Sequence, residues 1–134
     1  MDDGTEPIAD EELLYRRVPA STGWYSSITG LNSEAFAPRK EDLTGLSVSR
    51  QKYKSAEAAA KGRPGKWYFV AVLRAGDLRE KGIEVVPAPR DGDPGHAELP
   101  DLNAMNRKTD ETIERQRILA EELCLGVEGP FGPS

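Results

Sequence analysis

The segment that most restricts the fold is WYFVAVL, Trp67–Leu73, the longest uninterrupted apolar run in the chain. It follows the turn residues Arg63–Pro64–Gly65 and precedes Ala75–Gly76. Its shortness and its aromatic and β-branched content mark a strand covered on both faces, placed centrally in a sheet. Strands elsewhere in the chain must supply its neighbours. The run falls far short of the roughly 18 apolar residues that a membrane-spanning helix needs, so no membrane contact is expected.

Around this strand, 134 residues suit one domain. With 37% apolar and 31% charged residues, 13 Gly and 10 Pro, a modest core with long loops is expected. The lone Cys124 excludes an intramolecular disulfide and any zinc site built on two or more cysteines of one chain. Between Leu123 and Leu125 it reads as a packed, inert thiol. The opening MDDGTEPIADEELL is acidic and lacks both a basic region and an apolar core, so no secretory signal is expected. Location in the cytoplasm follows as the expectation.

Walking the chain, LLYRRV (13–18) is expected as a strand stopped by Pro19. Residues 19–45 read as a long loop, with Asn32 or Ser33 capping a helical turn that ends before Pro38. LSVSR (46–50) alternates with period two, which puts Leu46, Val48 and Arg50 on one side and Ser47 and Ser49 on the other. Ser55 is placed to cap a short Ala-rich helix that stops at Gly62. Ala75–Lys81 suits one or two helical turns ended by Gly82, and Ile83–Val86 a strand ended by Pro87. His96–Leu99 suits a last strand, antiparallel to 83–86. Residues 101–125 contain no Gly or Pro and read as a C-terminal helix with a broken apolar stripe. The expected fold is therefore α+β, with a small mixed or antiparallel sheet of four to five short strands, short helices and a C-terminal helix. Strand–helix alternation over 46–86 allows one parallel crossover. The expected division is an acidic flexible tail (1–12), a single α+β domain (13–100), the helix (101–125) and a second flexible tail (126–134).

Charge is segregated. Asp2, Asp3, Glu6, Asp10, Glu11 and Glu12 crowd the first twelve residues without a basic partner. That is a solvated tail, or an arm that folds over a basic surface of its own chain or a partner. Residues 39–66 carry Arg39, Lys40, Arg50, Lys52, Lys54, Lys61, Arg63 and Lys66 against Glu41, Asp42 and Glu57. Tyr53, Trp67 and Tyr68 lie within or beside them. Cations neutralise phosphates and aromatic faces stack on bases, so RNA or single-stranded DNA is one ligand class for this stretch.

Several residues could carry chemistry. His96 is the only histidine, with Asp93 or Glu98 placed to orient it as an acid or base. Ser47 is the accompanying hydroxyl, suited to positioning a substrate. Arg16, Arg17 and Arg50 are candidates for gripping a phosphate, with Trp24 as an aromatic wall. Arg16 and Arg17 are adjacent on a strand, so only one of them faces a given cleft. No metal-ligand spacing and no cofactor motif stands in the chain.

The blocks LYRR (14–17), SEAF (33–36), GLSVSR (45–50), AGDLREKGIEVV (75–86) and DPGHAEL (93–99) resemble a group of small uncharacterised bacterial proteins with no named activity. The resemblance implies that residues 12–100 form one module and transfers no functional residue. Arg16, Ser47 and Glu84 also loosely mimic the Arg–Ser–Glu arrangement of ADP-ribosyltransferases, without their STS or E-x-E motifs. The leading expectation is a non-enzymatic binding or regulatory protein with a protein partner, acting through the basic 39–66 surface and the C-terminal helix. The alternatives are an enzyme acting on a phosphate-bearing or nucleotide substrate with Arg16 or Arg50, Ser47 and His96, and an RNA or single-stranded DNA binder.

Overall fold

In the computed structural model, which describes residues 3–133, the chain is built on one six-stranded sheet. Its strands are β1 (Leu13–Pro19), β4 (Leu46–Arg50), β5 (Tyr68–Arg74), β6 (Val86–Pro87), β7 (His96–Leu99) and β8 (Gly126–Phe131), in the order β6-β7-β4-β1-β5-β8. Neighbouring strands are antiparallel. A separate hairpin joins β2 (Tyr25–Ser26) to β3 (Gly30–Leu31). The α+β class stands, and the strand count does not: the sheet has six strands rather than four or five. Because β4 and β5 are each antiparallel to β1, they run parallel to one another, and the segment carrying α1 makes the one crossover, passing over the inserted β1.

The extra strand comes from the segment expected to be a flexible tail. Gly126–Phe131 pairs with β5, with a register shift between Tyr68 and Val70. Its Gly and Pro residues suppress a strand reading, yet both are tolerated at a sheet edge, where one side of the backbone needs no partner. Ser134 lies outside the described residues.

The long pairing of β1 with β5 runs from Leu13 opposite Arg74 to Pro19 opposite Tyr68. On one face, Leu14, Val18, Val48, Leu46, Leu73 and Leu99 form the main core with Phe36, Leu78, Ile83, Leu102, Leu119 and Leu123. On the other, Tyr15, Tyr68, Val70 and Val72 are covered by Ala59 and Ala60 at α1 (Ala56–Ala59). The local signals act as expected. The Ser55 hydroxyl accepts from Ala58 N and Asn32 Oδ1 from Glu34 N. Gly82, at φ +72°, ends α2 (Ala75–Glu80) in a conformation that disfavours any other residue.

The C-terminal helix is shorter than expected. Helix α3 spans Asp110–Ile118 and continues as a π turn over Leu119–Leu123. Residues 101–109 are turns instead. Asn103 Oδ1 accepts from Met105 N and Asn106 N, while Asn106 Nδ2 donates to Asp101 O. Asparagine side chains that bond the nearby backbone in this way compete with helical hydrogen bonds. Thr109 then caps α3 through Thr112 N. Cys124 is half-buried and burial pushes its thiol pKa up, as suits an inert packing role.

Candidate functional site

Arg50 stands on the core side of β4, as the period-two pattern requires, and its side chain is fully buried. A guanidinium there needs acceptors for all its donors. The N-terminal arm supplies them. Glu12 takes Nε and Nη2 in a bidentate pair at 3.0 Å each. Gly4 O and Glu6 O accept from Nη1, and Pro7 O from Nη2. Tyr53 lies under the group, its ring centroid 5.4 Å away, and donates its hydroxyl to Glu6. That bond, with Lys52 beside it, lowers the Glu6 pKa to about 2. The described part of the expected flexible tail is therefore folded onto the domain, and Asp2 lies outside the described residues. Every donor of Arg50 is used internally, so it does not serve as the expected ligand-binding group.

The opposite face carries the other candidates. His96 is opposite Ser49, and Ser47 opposite Glu98, so these four share one side of the sheet. His96 is 5% exposed. Its Nδ1 lies 2.8 Å from Ala88 O, which can only accept, so Nδ1 carries the proton. Nε2 is then left to accept from the Ser47 hydroxyl at 3.1 Å. The structure thus joins His96 to Ser47, with a backbone carbonyl orienting the ring in place of Asp93 or Glu98. Asp93 pairs with Lys54 at 2.9 Å, and Glu98 accepts from the Thr44 hydroxyl at 2.6 Å. Because Arg50 is on the far side of the sheet, these residues do not form the single cleft expected of a phosphate-directed enzyme.

Arg16 also points to the core side, in step with Leu14 and Val18. Its Nε and Nη1 donate to Ala35 O and Ser47 O at 2.9 Å each, and burial brings its pKa down to about 10. It touches the backbone of Ser47 and not its hydroxyl, so the Arg–Ser–Glu mimicry does not arise. Arg17 faces the other way, exposed, with its guanidinium 5.3 Å from the Tyr68 ring centroid and donating to Lys61 O.

Trp24 packs against the main core and carries Arg39 over its ring at 5.6 Å. An open groove runs past it, lined by Arg39, Lys40, Glu41 and Arg107. Ala104 N donates to Asp42 O at 2.9 Å, tying the 39–43 loop to the 101–109 turns. This bond sets Leu43, 71% exposed, and Met105, 90% exposed, on adjoining segments. Leu43, Met105 and Arg107 were not among the sequence candidates. No local pattern marks them, because they meet only through a hydrogen bond between distant loops. Arg50, Lys52 and Lys54 are ion-paired to Glu12, Glu6 and Asp93, so the basic stretch is not one continuous surface.

Among the described residues, no group of three or more His, Cys, Asp or Glu side chains is arranged to hold a metal ion. Compared with protein-family models, curated proteins and solved structures, the chain matches none.

Proposed function

We propose that this protein is a binding module that captures a protein partner on the surface formed by residues 24–43 and 103–107. The Ala104–Asp42 hydrogen bond carries the reading, because it joins one end of the basic stretch to the turns before α3. Exposed Leu43 and Met105 each sit one residue from this bond, and the Trp24–Arg39 stack belongs to the first of the two joined segments. Tryptophan, arginine, methionine and an exposed aliphatic side chain suit a protein interface, and charges of both signs, Glu34, Arg39, Lys40, Glu41 and Arg107, line the groove past Trp24. Arg39, Lys40 and Arg107 favour a partner segment with apolar anchors flanked by carboxylates.

Point substitutions test this better than truncation, since Leu119 and Leu123 belong to the core and β8 to the sheet. The double variant Leu43→Asp, Met105→Asp changes two exposed side chains and is expected to keep the native melting temperature. Partners crosslinked to the unaltered protein in cells should be lost from the double variant and from Arg39→Glu. Equal recovery of those partners by both variants would sink the proposal.

A further inference from the structure

The arm pairs with Arg50 and Lys52 of the basic stretch, and three further cations of that stretch gather elsewhere, at the corner before Tyr68. Lys61, Arg63 and Lys66 lie in the connection between α1 and β5, all exposed. The connection is pinned. Arg63 N donates to the Tyr68 hydroxyl at 2.9 Å, and Lys66 N to Arg63 O at 3.3 Å. Arg17 reaches the same corner from β1, resting on Tyr68 and bonding Lys61 O. The end of β8 closes the corner, with Phe131 opposite Tyr68. Gly132 is so close that a β-carbon there would stand 2.6 Å from Lys66 O. A shallow depression lies between Ala60, Lys61 and Phe131, and among the described residues Glu57 is the one carboxylate lining it.

None of the four cations has an ion-pair partner among the described residues, and the carboxylates on this side are Glu57 and Glu128, the latter in register with Val70 and Arg17. Trp67, next in the chain to Lys66, is 48% exposed, while Phe131 is partly buried against the Tyr68 cluster. Closely spaced cations suit a phosphodiester backbone. Open aromatic faces add a preference for bases that are not already stacked in a duplex. We infer that this corner binds single-stranded nucleic acid, with Arg17, Lys61, Arg63 and Lys66 on phosphates and the exposed Trp67 beside Lys66 offered to bases. The site is separate from the proposed protein-binding surface and does not depend on it.

The test is fluorescence anisotropy of end-labelled oligouridylate and oligothymidylate, titrated with the full chain at several salt concentrations. Three or four phosphate contacts predict a slope of log K against log salt of about −2 to −3 for a single strand. Lys61→Glu with Arg63→Glu should weaken binding by at least about tenfold, and Trp67→Ala by roughly 5- to 100-fold. Lys108→Glu, an exposed cation outside both proposed surfaces, should leave affinity unchanged, and thermal melts check that each variant is folded. The inference is overturned by no binding up to about 100 μM at physiological salt, the weak limit of nonspecific association. Equal binding by the charge-reversed variant overturns it too. So does stronger binding to a duplex of the same length, or to polyglutamate, which would assign the corner to a different class of partner.

Discussion

Arg50 has the largest energetic consequence of any single side chain. A buried guanidinium is tolerable only while its carboxylate and carbonyl partners stay in place, and losing one member of such a pair costs about 3–5 kcal/mol. Glu12→Ala should therefore lower the unfolding free energy by about that amount in urea titrations. The double replacement Glu12→Leu, Arg50→Met should cost less than Glu12→Ala alone, because no charge is then stranded. The Ser47–His96 bond is a smaller case. Ser47→Ala leaves Nε2 of a histidine only 5% exposed without its donor and should cost about 1–3 kcal/mol. A loss below about 0.5 kcal/mol would mean that water replaces the hydroxyl there. The period-two pattern of LSVSR made the facing of Arg50 legible, with Leu46 and Val48 beside it. It did not show what Arg50 meets, because Glu12 lies 38 positions away in sequence and no local pattern records such pairs.

Among elements, those with strong local chemistry were readable and those defined by a neighbour were not. Leu13–Pro19, Leu46–Arg50, Tyr68–Arg74 and His96–Leu99 fall where alternation or an apolar run placed them. Ser55, Asn32 and Gly82 act as the expected punctuation. Strand β8 escaped because its Gly, Glu and Pro residues have low strand propensity, and pairing with β5 alone makes it a strand. Helix α3 was overestimated because composition cannot reveal that Asn103 and Asn106 tie the backbone into turns. Since β8 shields the outer edge of β5, removing residues 126–134 should leave Val70 and Val72 on an open edge. Light scattering is expected to show stronger concentration-dependent self-association for the truncated chain than for the full chain.

At the scale of the whole molecule, the mild acidity of the composition hides an internal cancellation. The arm's Glu6 and Glu12 offset Arg50 and Lys52, and Asp93 pairs with Lys54, so the remaining cations of the 39–66 stretch are those at the Trp24 groove and at the corner before Tyr68. This cancellation titrates. The Tyr53 hydroxyl and Lys52 hold Glu6 at about 2, below its ordinary value of 4.5. Its stabilising contribution is then complete above about pH 4.5 and is lost as the pH falls towards about 2. Acid unfolding followed by circular dichroism should show this dependence, and Glu6→Gln should flatten it while lowering stability at neutral pH. An acid limb of unchanged steepness in Glu6→Gln would mean that other carboxylates dominate. Composition alone could suggest an arm docking on a basic surface, but only the folded chain shows that the surface is its own.

The bond between Glu12 and Arg50 also limits how this chain can vary over generations. Lysine at position 50 would lack the planar fork that matches the carboxylate, and a neutral residue at position 12 would leave the guanidinium bare. Each single step costs a large part of the roughly 5–15 kcal/mol that keeps a domain folded. Natural variants that alter either position are therefore expected to alter both.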